Sequence, residues 1–320
     1  MPASFHRLAL SVAFAFIGFT SALSGQAPPT PPALPTPAVA PSAAASDDGF
    51  TTLDSTVGYI ESAIPWSQVR LRYDAADNLN RPNRAEFFYA KPKPNGPGLP
   101  FPERNINYQE LNIYGEMLLV DRLSIFAEMP FRFLDPTVNQ RQQGPSDITV
   151  GGKYACIMQD DFVTSVTFKV TAPSGQVNQG LGTGHVTLEQ GLLAWYKIND
   201  RWGIEGEFRQ YTPIGGTDFS GDVIRYGLGV YHNLYIGDKL RVAPVAEVVG
   251  WTVLGGKEQF LLPSGVGVIH NAAGDTIVNA KIGLRMGFGT NSDMYIGYGR
   301  SLTGDRWYQD VFRLEFRRRF

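Results

Sequence analysis

The chain has a single cysteine, and past residue 24 it has no apolar run long enough for a membrane helix. Cys156 has no partner for an internal disulfide, and no cysteine or histidine spacing is typical of a metal site. A transmembrane helix needs about 20 consecutive apolar residues. The net charge of −2 gives no reason to expect a nucleic acid as partner. These deficits exclude a disulfide scaffold and a helical membrane protein.

The first quarter of the chain predicts export followed by a spacer. Residues 1–24 have a short basic start, an apolar centre and small residues at the end, which is typical of a cleaved signal peptide. A short N-terminal anchor helix is the alternative. Residues 25–48 hold seven of the 22 prolines and predict either an extended polyproline linker or a disordered leader. Residues 49–65 are interpreted as a short periplasmic lead-in, and 66–320 as the folded domain.

The last segment alternates with a period of two residues, which predicts a strand with one apolar and one charged face. The apolar face carries Phe312, Leu314, Phe316 and Phe320, and Arg313, Glu315, Arg317 and Arg319 alternate with it. A final strand that ends in an aromatic residue resembles the membrane-insertion signal of bacterial outer-membrane barrels. An ordinary edge strand that ends in Phe is the alternative. The resemblance implies outer-membrane lipid and the barrel-assembly machinery as partners.

Alternation recurs in segments of membrane-strand length, about 9–11 residues at a tilt. Twelve are predicted: 66–75, 108–119, 123–133, 146–157, 162–172, 185–197, 202–211, 222–235, 240–251, 276–288, 293–302 and 309–320. Connections after the even-numbered segments are short, whereas 76–107 and 252–275 are long. Short turns at one end, long loops at the other and an even strand count are typical of outer-membrane barrels. We therefore predict an all-β fold, an antiparallel transmembrane β-barrel of the bacterial outer membrane; a soluble exported sandwich is the rival.

Aromatic residues cluster near the predicted strand ends, as in the interfacial girdles of membrane barrels. The set is Trp66, Tyr73, Trp195, Tyr196, Trp202, Tyr211, Tyr235, Trp251 and Trp307. Residues 86–90 read as a further short strand inside the first long loop. An odd membrane strand would separate the termini, so this strand is predicted to project above the membrane.

The polar faces of these strands carry both charges and predict the lumen lining. The lining set is Glu128, Arg132, Lys153, Lys169, Glu189, Glu207, Arg209, Arg225, Arg241, Glu247, Lys281, Arg285, Arg313, Glu315 and Arg317. Charged groups inside a barrel must be hydrated or paired. Two interpretations stay open: a water-filled passage whose charges select solutes, and a closed barrel filled by cross-strand ion pairs.

Catalysis is not expected from this sequence. The histidines beyond the signal peptide are His185, His232 and His270, and none has an evident serine and acid on a neighbouring outward position. Metal-binding spacing of the His-x-Glu or His-x-x-His type is absent from the sequence. We therefore expect no enzyme, no catalytic residue, no cofactor and no metal.

Several short motifs resemble a family of outer-membrane transporters named after the MetA pathway of phenol degradation. Residues 144–154 (GPSDITVGGKY) are similar to its "GxxDxxxGxKY" strand, and 170–175 (VTAPSG) to the following "PxG" strand end. Further similarity lies at 180–184, 200–202 and in the "PxxE" strand at 244–247. The run 302–308 and the Pro/Ala leader resemble barrels predicted in planctomycete-type bacteria.

The resemblance implies passage of small molecules, organic and aromatic solutes included. The sequence therefore predicts an outer-membrane channel or transporter with a small-molecule solute as partner. A closed tethering barrel is the first alternative, and a lipid-modifying enzyme is the second. Hydrophobic-substrate channels carry an N-terminal plug, and this chain has no obvious one, because the sole candidate, 49–65, is short.

Overall fold

The computed structural model describes residues 55–81, 97–262 and 267–320, without the side chains of 260 and 261. The signal peptide, the proline-rich segment and the predicted strand at 86–90 lie outside the described residues. Within the described ranges the chain is all-β, and its helical element is a single 3₁₀ turn, Val177–Gln179. No helix in these ranges is both long enough and apolar enough to cross a membrane.

Twelve long strands and four short ones make up the described structure. The long strands are β1 (Gln68–Leu79), β2 (Ile106–Val120), β3 (Leu123–Pro136), β5 (Ile148–Met158), β6 (Phe162–Ala172), β7 (Val186–Lys197), β8 (Trp202–Ile214), β9 (Val223–His232), β11 (Leu240–Val253), β14 (Thr276–Phe288), β15 (Ser292–Ser301) and β16 (Asp310–Arg319). The short strands are β4 (Gln142–Pro145), β10 (Tyr235–Ile236), β12 (Lys257–Leu261) and β13 (Gly267–Asn271).

The twelve long strands form one closed antiparallel sheet, which confirms the predicted fold. Each pairs with its neighbour along the chain, and β1 also pairs with β16, from Gln68 opposite Arg319 to Asp77 opposite Asp310. Closure gives every long strand two partners, so the sheet exposes no unpaired edge to lipid. β6 and β14 coincide with their predicted bounds, and the others differ by a few residues at their ends.

The two faces of the wall differ in chemistry. Outward side chains are apolar and exposed; Leu228 and Ile282, for example, are each 62% accessible. Inward positions carry mostly polar, charged or aromatic side chains, which are buried or half-buried. Such a barrel spans a lipid bilayer, with lipid against its outer face and a polar interior. Arg300 points outward from the loop end of β15, where Asp310 on β16 lies 3.5 Å away.

The predicted aromatic girdle is only partly correct. Tyr196, Trp202 and Tyr235 are exposed on the outer face. Trp195 is fully buried, and its Nε1 donates a hydrogen bond to the Tyr231 hydroxyl at 3.1 Å. Strand alternation explains this result, because consecutive residues such as 195 and 196 face opposite sides of a sheet.

Two more of the predicted girdle residues, Trp251 and Trp307, are 7% and 4% exposed and therefore do not contact lipid. Both line a cavity inside the barrel. They supply aromatic surface to the lumen, whereas the predicted lumen lining consisted of charged residues alone.

The segment interpreted as a periplasmic lead-in lies inside the barrel where it is described. Residues 55–65, here called the plug, bury their apolar side chains against the wall. Val57, Tyr59, Ile60, Ala63 and Ile64 are at most 6% exposed. The correction has a physical reason: lumen side chains from distant strands bond to the backbone of this segment, and these contacts leave no local sequence pattern.

Candidate functional site: a plugged lumen

The plug enters and leaves the lumen at the end of the short turns. Its first residue, Ser55, donates a hydrogen bond to Glu205 near the start of β8. Residues 58–61 contact wall groups farther inside, and the chain then returns, where the Ala63 carbonyl accepts a hydrogen bond from Ser165 near the start of β6. The plug, which directly precedes β1, is therefore a loop inside the lumen. Its two described ends lie near the periplasmic end of the barrel.

Two buried carboxylates receive five consecutive backbone N–H groups of the plug. Glu205 accepts from Thr56 at 2.7 Å and from Val57 at 3.2 Å. Glu247 accepts from residues 58, 59 and 60 at 2.9, 2.9 and 3.0 Å. Hydrogen bonds to an ionised carboxylate are stronger than those between neutral groups. The barrel thus holds the plug through its main chain, whose N–H groups bind the carboxylates as those of a helix N-terminus bind an anion.

The plug carbonyls accept hydrogen bonds from guanidinium groups of β9, β14 and β16. Arg285 donates to the carbonyls of Thr56 and Val57 at 2.7 and 2.8 Å. The other carbonyl contacts are Arg317 to Ser55 (2.8 Å), Arg313 to Gly58 (2.6 Å) and Arg225 to Tyr59 (2.5 Å). Charges that the sequence assigned to the lumen lining therefore bind a segment of the chain itself.

Glu61 fixes the inner end of the plug by its side chain. Its carboxylate pairs with Lys169 and lies 3.4 Å from the guanidinium of Arg209. Burial acts to raise the pKa of Glu61, but Lys169, Lys153 and Arg209 together hold that pKa well below its usual range. A lowered carboxyl pKa favours the bound state above the ordinary Glu pKa, and this support is lost only as the pH falls through the lowered value. The neighbouring cations therefore stabilise the ionised form of the Glu61 carboxyl group.

Glycines on both partners make room for the plug. A Cβ on Gly58 would lie 2.2 Å from the ring of Tyr295, which is fully buried. On β9, a Cβ on Gly227 would lie 3.1 Å from Ile60, and one on Gly229 would lie 2.8 Å from Val57. The wall is therefore shaped to receive these plug side chains.

We expect Gly58→Ala to loosen the plug, because the added methyl group cannot share space with the Tyr295 ring. Limited proteolysis of the folded protein from the periplasmic side should cut the variant's plug faster than that of the wild type. Gly115→Ala is the matched control, because a Cβ at Gly115 meets no atom within 4 Å. Equal protection of the Gly58 variant and the wild type would contradict the tight fit described here.

Two adjoining cavities lie on the loop side of the plug. The larger, about 250 Å³ and here called the outer cavity, has Gly58, Tyr59, Ile60 and Glu61 in its wall. The smaller, about 210 Å³ and here called the aromatic cavity, is lined by five rings: Tyr59, Tyr108, Trp251, Trp307 and Tyr308. Tyr59 and Arg313 belong to both, so the tip of the plug forms part of the wall of each cavity.

Ion pairs run along the wall over β1, β2 and β3 at this level. Arg72 lies 3.3 Å from each of Asp74, Glu110 and Glu128, and Arg132 lies 2.7 Å from Glu110. The interior therefore combines cross-strand pairs with cavities. Neither of the two interpretations left open by the sequence describes it alone.

All fifteen side chains of the predicted lining set face inward. Twelve of them are buried: Arg132, Lys153, Lys169, Glu189, Glu207, Arg209, Arg241, Glu247, Lys281, Arg285, Glu315 and Arg317. Glu128, Arg225 and Arg313 are half-buried. The set omitted Arg70, Arg72 and Asp74 of β1 and Asp293 of β15, although their alternation with outward residues such as Leu71 would have indicated the inward face.

The residues predicted to signal membrane insertion occupy the outer face of β16 and the residue after it. Phe312, Leu314 and Phe316 are 40–48% exposed, and Phe320 is 74% exposed. The Phe320 N–H donates to the Ser67 carbonyl at 3.1 Å, next to the seam where β16 meets β1. Their role in insertion stays a prediction.

The three histidines are widely separated. The Nδ1 atom of His185 lies 3.4 Å from the Ser220 hydroxyl, and burial lowers the pKa of the ring. His232 packs on Trp202 with ring centroids 4.3 Å apart, and His270 is exposed on β13. Among the described residues, no group of three His, Cys, Asp or Glu side chains could hold a metal ion.

The fold and the site define a class: a twelve-stranded outer-membrane β-barrel whose lumen holds a segment of its own N-terminal region. Among solved structures, the chain is similar to the COG4313 outer membrane channel from Pseudomonas putida F1, with a TM-score of 0.53, 14% identity, and coverage of 83% of this chain and 100% of that one. It is more weakly similar to the NanC and KdgM porins, each with a TM-score of 0.43 and 9% identity over 79% of this chain and 98% and 99% of theirs. No family model and no curated protein matches the chain.

Proposed function

We propose that this protein is an outer-membrane channel for small solutes, and that its lumen is closed when the plug is seated. The observation that carries the proposal is the way the plug is held: carboxylates and guanidinium groups of the wall bind its backbone from residue 55 to residue 61. A barrel that served only as a closed tether would need no removable segment in its lumen. We infer that the plug is the movable part of a gate.

Polar contacts of this kind are reversible. Each carboxylate and guanidinium group that binds the plug can exchange the backbone partner for water, so the net free energy of each contact is modest. The wall left behind would be lined by charged, hydratable groups, as a water-filled passage requires. The ladder of β1 with its neighbours does not depend on the plug, because it is formed by the strands themselves.

Two similarities to known proteins support the proposal, one in sequence motifs and one in structure. The motifs at residues 144–154 and 244–247 resemble the transporter family named after the MetA pathway of phenol degradation, which implies small organic solutes. The solved structure with the highest TM-score reported above is named as an outer-membrane channel. We propose a channel rather than an enzyme on these similarities and on the way the lumen holds the plug, although His185 lies 3.4 Å from the Ser220 hydroxyl. Passage would be passive or weakly selective.

A disulfide lock between plug and wall tests the proposal. Val57→Cys and Gly229→Cys, in a Cys156→Ser background, would place two sulfur atoms within bonding reach, because Val57 Cγ1 lies 2.8 Å from the Cβ position of residue 229. Disulfides form when the two Cβ atoms are about 3.5–4.5 Å apart. In planar bilayers we expect openings in the reduced protein and none in the oxidised protein. Adding a reductant to the locked channel should restore them.

The Cys156→Ser protein without the pair is the matched control and should open equally under oxidising and reducing conditions. Heat-modifiable migration on a gel establishes that each variant has folded. Openings of equal size and frequency in the cross-linked protein would overturn the proposal, since solutes would then pass with the plug fixed in place.

A further inference from the structure

The aromatic cavity contains a lysine that the surrounding ion pairs leave out. Lys281 is 4% exposed, and within the described residues it takes part in none of the ion pairs. Its cross-strand neighbour is Glu247, whose two oxygens receive the N–H groups of residues 58–60. A buried charge without a hydrogen-bonded counter-ion is costly. The cavity thus has one basic side chain without an acidic partner among the described residues.

The other cations of this cavity already have acidic partners. Arg313 forms a two-pronged pair with Asp74, with both nitrogen–oxygen distances at 2.7 Å. Arg225 lies 2.7 Å from Glu207. An anion that entered the cavity would therefore pair with Lys281 without first breaking an existing ion pair.

Aromatic faces surround the Lys281 ammonium group. Its Nζ atom lies 3.8 Å from the ring centre of Tyr59, 5.5 Å from that of Trp251 and 5.8 Å from that of Tyr308. The guanidinium of Arg313 lies 3.9 Å from the same Tyr59 ring. One ring is thus shared by two cations, and their mutual repulsion adds to the demand for negative charge.

Two hydroxyl groups on the wall of the cavity also lack partners. The buried Oη atoms of Tyr59 and Tyr308 have no hydrogen-bond partner among the described residues. Phenolic hydroxyls donate hydrogen bonds to carboxylate oxygens. The lining of this cavity of about 210 Å³ therefore combines a basic side chain, two phenols whose hydroxyl groups have no partner among the described residues, and several rings.

We propose that the aromatic cavity binds an organic anion with a single aromatic ring, a carboxylate of the benzoate type. Lys281 pairs with the carboxylate, and the ring packs among the aromatic side chains. The volume suits one ring, since a cavity of about 150 Å³ is enough to hold benzene. This inference rests on the proposed function and names the solute class of the channel. Because Tyr59 belongs to the plug, a bound solute would lie directly on the tip of the gate.

Calorimetric titration of the full chain in detergent with sodium benzoate tests this site. We expect saturable binding by the wild type and binding weakened by about tenfold or more in Lys281→Gln, as loss of a buried charge-assisted contact predicts. Lys281→Arg should retain most of the affinity, since it keeps the charge. Acetate, which has no ring, and benzyl alcohol, which has no charge, should each bind at least about tenfold more weakly than benzoate.

Lys197→Gln is the matched control, because Lys197 pairs with Asp200 in an exposed turn outside the cavity. Gel migration verifies that the variants fold. Equal benzoate affinity in Lys281→Gln and the wild type would overturn the site, and so would acetate binding as tightly as benzoate. The disulfide experiment separates the two proposals. If the cross-linked protein still conducts but the wild type binds benzoate through Lys281, the binding site is supported and the gated channel is not. If cross-linking abolishes conductance but benzoate does not bind, the gated channel is supported and the binding site is not.

Discussion

Deletion of residues 55–64 should convert a mostly closed barrel into an open one. Glu205 and Glu247 alone receive five backbone N–H groups of this segment. If the plugged state is favoured by about 3 kcal/mol, the open state is populated to roughly 1% or less. Removal of the plug leaves only the open state, so mean conductance in planar bilayers should rise by more than about tenfold.

The deletion keeps all twelve long strands, which begin at Gln68, so the barrel itself should still form. Heat-modifiable gel migration serves as the folding control. Liposome swelling with sugars of increasing size would then measure the width of the passage. If the folded deletion variant shows no conductance, something other than the plug closes the lumen, and the gating proposal is wrong.

The open lumen should prefer anions. Among the described strands the inward basic residues are Arg70, Arg72, Arg132, Lys153, Lys169, Arg209, Arg225, Arg241, Lys281, Arg285, Arg313, Arg317 and Arg319. The inward acidic residues are fewer: Asp74, Glu110, Glu116, Glu128, Glu189, Glu205, Glu207, Glu247, Asp293 and Glu315. An excess of one sign on the wall raises the local concentration of the opposite ion. The reversal potential in a salt gradient should therefore have the sign of anion selectivity.

The strands could be located from the sequence because each strand of a barrel wall shows a local alternation of apolar and polar residues. β14 shows why: Ala280, Ile282 and Leu284 alternate with Lys281 and other polar residues, and water and lipid on opposite faces enforce that alternation. A slip of one residue would turn every charge toward lipid. Strand bounds and the inward face were therefore both accessible from period-two alternation alone.

The plug could not be read in the same way. Its backbone is bonded to side chains 102–262 residues away in sequence, and its own residues show no period that predicts a strand. The destination of a segment held in this manner depends on the completed barrel. One signal was nevertheless present: Gly227 and Gly229 stand on the inward face of β9, where a side chain would collide with Ile60 and Val57. Alternating inward glycines indicate a wall that makes room for something inside it.

The structure gives the predicted inward charges partners that the alternation pattern does not indicate. Glu247 and Arg285 were placed inward as part of a passage or of an ion-pair ladder. Each instead forms hydrogen bonds with the main chain of the plug. A sequence gives the side of the sheet on which a charge lies, but the partner of that charge depends on which backbone enters the lumen.

Glu247→Gln should have the largest effect of any single substitution on gating. The carboxylate accepts from three plug N–H groups, and the Tyr295 hydroxyl donates to it at 3.3 Å. An amide has one accepting oxygen, and its NH₂ group would face another donor. The lost and unsatisfied hydrogen bonds should cost the closed state about 2–3 kcal/mol, which shifts the closed-to-open ratio by roughly one to two powers of ten.

Open probability in single-channel records measures this shift, and Glu128→Gln is the matched control. Glu128 is another lumen carboxylate, and it bonds to Arg72 and Asn112 of the wall rather than to the plug. We expect the control to gate like the wild type, while the Glu247 variant opens much more often at unchanged single-channel conductance. Equal open probability in the two variants would mean that the carboxylate contacts to the plug backbone do not set the gate. A changed conductance with unchanged open probability would mean that Glu247 lines the open passage without holding the plug.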